Sequence, residues 1–132
     1  MKYNFIKNGD SKYNATFITP WSFIHLYSGF LGIILTNYAK MNKKFSILFL
    51  VLIHTIYELK DLYFSYLYKG PKTKISEWSK KNSLFNSIGD TLFFILGIFI
   101  GINLKPNMKQ LIVIILIFLI LFCIFFKIKK LS

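Results

Sequence analysis

Residues 45–68 read FSILFLVLIHTIYELKDLYFSYLY, a run of 24 residues in which His54, Glu58, Lys60 and Asp61 interrupt apolar side chains. Its length matches the roughly 20 residues needed to cross a bilayer as a helix, while the charges would each cost about 2.5–3.5 kcal/mol at membrane depth. Such charges are retained where they face a protein interior or a wet cavity, so this run sets both the fold class and the place to look for function.

Three further apolar runs flank it. The first covers residues 19–38 and opens on Thr19-Pro20, a helix start with Thr at the N-cap and Pro at N1. Another covers 83–104 and is closed by Pro106, and the last, 111–126, is almost wholly Ile, Leu and Phe. Long apolar runs, with 55% hydrophobic residues in 132, point to an all-α membrane protein, a bundle of four transmembrane helices. The short alternating strands of a membrane β-barrel are not visible. Residues 1–18 form a polar N-terminal segment, 19–126 the transmembrane domain and 127–132 a basic tail. Between the second and third runs, Ile75, Trp78 and Phe85 recur near helical spacing, which fits a short interfacial helix.

The net charge of +12 comes entirely from lysine, with no arginine. Most lysines fall between the apolar runs, where positive charge orients a membrane protein and meets anionic head groups. Lys2, Lys7, Lys12, Lys69, Lys72, Lys74, Lys80, Lys81, Lys127, Lys129 and Lys130 would share one side, against Lys40, Lys43, Lys44, Lys105 and Lys109 on the other. The richer side is expected to be cytoplasmic and to hold both termini. The expected partner is thus a bilayer with anionic lipid; a homo-oligomer stays open, and nucleic acid is not expected. Cys123 is the single cysteine, which excludes an intramolecular disulfide.

The polar residues of three runs fall on single helical faces. His54, Glu58 and Asp61 follow i, i+4, i+7; Asn86, Asp90, Gly97 and Gly101 follow i, i+4, i+11, i+15; and His25, Gly29, Gly32 and Thr36 do likewise. The glycines Gly29, Gly32, Gly97 and Gly101 suit close helix packing. At about 1.5 Å per residue, Asp90 lies roughly 13 Å from Lys81, and Asp61 and Glu58 roughly 12 and 16 Å from Lys69. Face and depth together predict one polar cluster of His54, Glu58, Asp61, Asn86 and Asp90 between the second and third helices, with His25 as a neighbour. The fourth run has no polar stripe and is expected to be the outer, lipid-facing helix.

Three chemistries are open to this cluster. Buried polar groups can hydrogen-bond one another and fix helix register, which requires no cofactor. His54, Glu58 and Asp90 could instead ligate a divalent metal, whose bound water would attack an ester or phosphate. Carboxylates at membrane depth can also relay protons or ions. No Gly-x-Ser-x-Gly surrounds Ser28, Ser83 or Ser87, which argues against a serine hydrolase.

The second and third runs resemble the VanZ-like family of small polytopic membrane proteins. In that family an intramembrane Glu is followed on the next helix by Asp-x-x-x-Asn-x-x-Gly-x-x-x-Gly. Here Glu58 matches the former, and Asp90, Gly97 and Gly101 the latter; Phe94 stands where the family has Asn, Asn86 lies one turn earlier, and no Arg precedes Asp90. The resemblance covers about 45 residues. It implies about four or five membrane spans and a link to the bacterial envelope or glycopeptide resistance, without a defined molecular activity.

Overall fold

The computed structural model describes residues 2–6, 14–67 and 84–131. Among these are two strands, β1 (Lys2–Ile6) and β2 (Asn14–Ile18), and four helices: α1 (Pro20–Tyr38), α2 (Lys43–Leu67), α3 (Leu84–Gly101) and α4 (Met108–Leu131). The helical class expected from sequence is therefore present, and each apolar run contains one helix. The interfacial helix expected within 69–82 falls outside the described residues.

Polar caps set the helix starts. At the head of α1 the Thr19 amide donates to Ser22 Oγ at 3.0 Å, with Pro20 at the first helical position. The Asn42 side chain accepts from the amides of Lys44 and Phe45, at 3.0 and 3.3 Å, opening α2. Before α4, Asn107 and Gln110 form a reciprocal capping pair: the Gln110 amide donates to Asn107 Oδ1 at 3.0 Å and the Asn107 amide to Gln110 Oε1 at 2.9 Å. This cap starts α4 three residues before the apolar run. At its other end the backbone stays helical through the basic residues read from sequence as a tail, since cations in a last turn complement the helix dipole.

The N-terminal segment, read from sequence only as polar, carries structure that reading lacked. Strands β1 and β2 pair in parallel, Lys2 opposite Asn14 and Ile6 opposite Ile18. The signal was a period of two, with Tyr3 and Phe5 alternating with Lys2 and Asn4, and Ala15 and Phe17 with Asn14 and Thr16. The second strand leads straight into α1 and packs on α3, where the Phe17 and Phe85 rings lie 5.0 Å apart.

Helices α1 and α3 share the most extensive contact in the molecule. The contacts advance together along both, from Ser22 against Asp90, through Gly29 against Phe94, to Ile33 against Gly101, so the two helices run in the same direction. Against α2 the order reverses, His25 meeting Glu58 and Gly32 meeting Leu50, so α2 runs antiparallel to α1. Helix α4 is also antiparallel to α1, joined by the Tyr27 hydroxyl donating to the Ile114 carbonyl at 3.1 Å, a Tyr27–Phe118 stack, and a Trp21–Phe122 edge contact. The apolar core is small: Ile33, Phe94 and Ile98, with Ile47, Leu50, Val51 and Ile102 packed around them.

Glycine makes the α1–α3 approach feasible. A Cβ at Gly29 would overlap the Phe94 carbonyl, and one at Gly97 the Leu26 carbonyl, both fixed backbone. At Gly32 it would meet only the far end of the Leu50 side chain, 2.9 Å away. Gly97→Ala is therefore expected to destabilise the bundle by about 1–3 kcal/mol or displace α3, whereas Gly32→Ala costs less because Leu50 can change rotamer. Unfolding of the two detergent-solubilised variants, measured side by side by circular dichroism, checks the order.

Candidate functional site

The first halves of α1 and α3 and the second half of α2 enclose a polar site. Ser22 and His25 reach it from α1, His54 and Glu58 from α2, and Asp90 from α3. His54, Glu58 and Asp90 are 5%, 6% and 4% exposed, so neither carboxylate can rely on water for its charge.

Each group meets specific partners. The Ser22 hydroxyl donates to Asp90 Oδ1 at 2.5 Å, while its own oxygen accepts from the Thr19 amide. The other Asp90 oxygen lies 3.6 Å from His25 Nε2. Across the His25 ring, Nδ1 is 3.1 Å from His54 Nε2 and 3.7 Å from Glu58 Oε1. His54 Nε2 and Glu58 Oε1 close the figure at 3.9 Å. The Phe94 ring packs on His54 with centroids 4.1 Å apart, giving the site an apolar wall. Tyr57 stands by His25, ring centroids 6.4 Å apart.

The structure reorders the set expected from sequence. His54, Glu58 and Asp90 do meet, but His25, expected only as a neighbour, is the hub that touches all three. Asp61 lies one turn farther toward the end of α2, where its partly exposed carboxylate pairs with Lys60 Nζ at 3.0 Å. Lys60 in turn sits over the Tyr57 ring rather than entering the cluster. Asn86 is buried on α3, one turn before Asp90. The metal-ligand set read from sequence as His54, Glu58 and Asp90 is also changed. The residues whose ligand atoms converge are His25, His54 and Glu58, all within 4.8 Å of one another, and Asp90 stands behind His25.

Ser22 was missed, though a signal existed. It lies three residues before His25 and seven before Gly29, on the same face of α1. Ser28, noted from sequence beside that face, instead donates back to the Ile24 carbonyl. Gly29, Gly32, Gly97 and Gly101 all stand at close approaches between helices, and Gly89 lets α3 approach the Phe17 carbonyl of β2. A separate groove of about 550 Å³, lined by Ile34, Leu104, Pro106 and Val113 among others, contains none of the site residues.

The chain gives no significant match to any family profile, curated protein or solved structure. Among the described residues, one helix, Leu84–Gly101, is long and apolar enough to cross a membrane on length and composition, and Met108–Ile124 is a shorter apolar stretch. Helices α1 and α2 carry the site's polar residues within their apolar runs.

Removing a buried partner should cost far more than removing an exposed one. Asp90→Ala leaves Ser22 and His25 without their acceptor in a dry site and is expected to lose about 3 kcal/mol or more. Asp61→Ala breaks a partly exposed pair, worth ~0–1 kcal/mol. Denaturant titration of the two variants in one detergent gives the comparison.

Proposed function

We propose that the chain is a multi-pass integral membrane protein, VanZ-like in character, with four spanning helices and both termini in the cytoplasm. Its polar cluster ties α1, α2 and α3 together and offers a binding site for a polar ligand or lipid head group. The observation that carries this reading is the inverted distribution of side chains. Among the described residues, ten polar or charged side chains are buried against six apolar ones, while 28 large apolar residues are exposed. A water-soluble fold would reverse that order, because apolar burial is its main stabilising term.

Geometry supports the reading. Helices of 18 to 25 residues extend roughly 27 to 37 Å, against a hydrocarbon core of about 30 Å. The direction of α1 alternates with that of α2 and again with that of α3, as successive crossings require. The exposed face of α2, with Leu48, Leu52, Ile56 and Leu59, is apolar while its inner face carries His54 and Glu58. The lysine asymmetry favours cytoplasmic termini and contact with anionic lipid.

A metal-dependent membrane hydrolase is the second reading. It is favoured by one observation, the His25–His54–Glu58 triangle. It depends first on whether that triangle holds a metal ion.

Membrane fractionation with alkaline carbonate extraction, followed by cysteine labelling in a Cys123→Ser background, tests the main reading. The protein should stay in the pellet. Single cysteines at Met41 and Leu104 should react with an impermeant maleimide on intact cells, and those at Asn4 and Ser132 only after permeabilisation. Release of the chain by carbonate would end the integral-membrane reading, and the opposite labelling pattern would invert the topology.

A further inference from the structure

We propose that His25, His54 and Glu58 bind one divalent transition-metal ion of the zinc class, an assignment that rests on the membrane site described above and names its ligand. Three atoms, one from each residue, form a closed triangle: His25 Nδ1, His54 Nε2 and Glu58 Oε1, with edges of 3.1, 3.7 and 3.9 Å. The circle through these atoms has a radius of about 2.1 Å, from the same three edges, which is the length of zinc–nitrogen and zinc–oxygen bonds, roughly 2.0–2.2 Å. An ion near the centre of the triangle would reach all three ligands without moving a helix. Two imidazoles and a carboxylate are a donor set that zinc accepts readily.

The surroundings match a metal site as well. Ligating histidines commonly present their second ring nitrogen to a carboxylate, which fixes the tautomer and raises the basicity of the ligating nitrogen. Asp90 holds that place behind His25, 3.6 Å from Nε2, and is itself held by the Ser22 hydroxyl, which the Thr19 amide positions. With the proton on Nε2 facing Asp90, His25 Nδ1 points a lone pair into the triangle. Glu58 Oε1 faces the same space as a second acceptor, so an N–H on His54 Nε2 could serve only one of the two. A cation at the centre satisfies all three. The polar contacts of the His54 ring all run through Nε2, for Nδ1 is buried without a hydrogen-bond partner. Three protein ligands leave a coordination position for water or an oxygen ligand, the arrangement that distinguishes catalytic from structural zinc.

The test is titration of the full-length, detergent-purified protein with Co²⁺, read by the intense visible absorption of low-coordinate cobalt. Elemental analysis after Zn²⁺ loading and dialysis gives the stoichiometry. One ion per chain is expected, with competition between Zn²⁺ and Co²⁺. His25→Asn, His54→Asn and Glu58→Gln keep polar side chains of similar size and should each abolish stoichiometric uptake while circular dichroism shows the helices intact. Asp90→Asn should retain the site but weaken it by about 10- to 100-fold. Folded wild-type protein that takes up no stoichiometric metal overturns the proposal, as does uptake unchanged in all three ligand variants. Protein that resists carbonate extraction yet binds no cobalt removes the metal and leaves the membrane reading. Protein that carbonate releases but that binds cobalt through these residues does the reverse.

Discussion

Two carboxylates, Glu58 and Asp90, are held almost wholly out of contact with solvent in a molecule whose outer surface is largely apolar. Desolvating an ion is costly whether the surroundings are lipid or protein, and the cost is offset only by close, well-directed partners. Asp90 finds them on α1, in Ser22 and His25; Glu58 finds them on α1 and within its own helix, in His25 and His54. Removal of α1 would therefore take Ser22 and His25 from Asp90 and His25 from Glu58. The polar residues of the first helix are as necessary to the bundle as its apolar ones.

That requirement explains the geometry of the α1–α3 contact. A hydroxyl at 2.5 Å from a carboxylate oxygen demands that the helix axes come close over the turns containing Ser22 and Asp90. Side chains of ordinary size would hold them apart. Gly29 and Gly97 remove that obstacle by letting the α1 and α3 backbones meet just beyond the site. Small residues and hydrogen bonds are also what bring helices together in lipid, where apolar side chains gain little by meeting each other rather than acyl chains. The small size of the Ile33–Phe94–Ile98 core is consistent with this: packing around glycine and polar contact carry more of the association than apolar burial does.

Much of this arrangement could be read from residue spacing, and the parts that could not have physical reasons. Helical periodicity placed His54 and Glu58 on one face and Asp90 with Gly97 and Gly101 on another, because a face is a property of one helix alone. Asp61 shares the α2 face in projection, yet it lies a turn farther along the helix, where it pairs with Lys60. Projection cannot register that difference. His25 looked peripheral for the converse reason: its importance comes from standing at the junction of three helices, which no single-helix pattern encodes. The strands β1 and β2 were hidden by their polar composition, although the alternation in Asn14–Ile18 was present.

Phe94 adds a last constraint on the site. Its aromatic ring packs on His54, where an amide side chain could have donated to a neighbouring acid. The ring presents the cluster with a surface that admits no hydrogen bond of ordinary strength. The groups that face Glu58 are then the two imidazoles and Ser87 on α3, and Asp90 already engages one side of His25. A site with an amide in this position could balance its acids by neutral hydrogen bonds. One with phenylalanine has a stronger need of a cation, which gives the His25–His54–Glu58 triangle a reason to exist beyond helix packing.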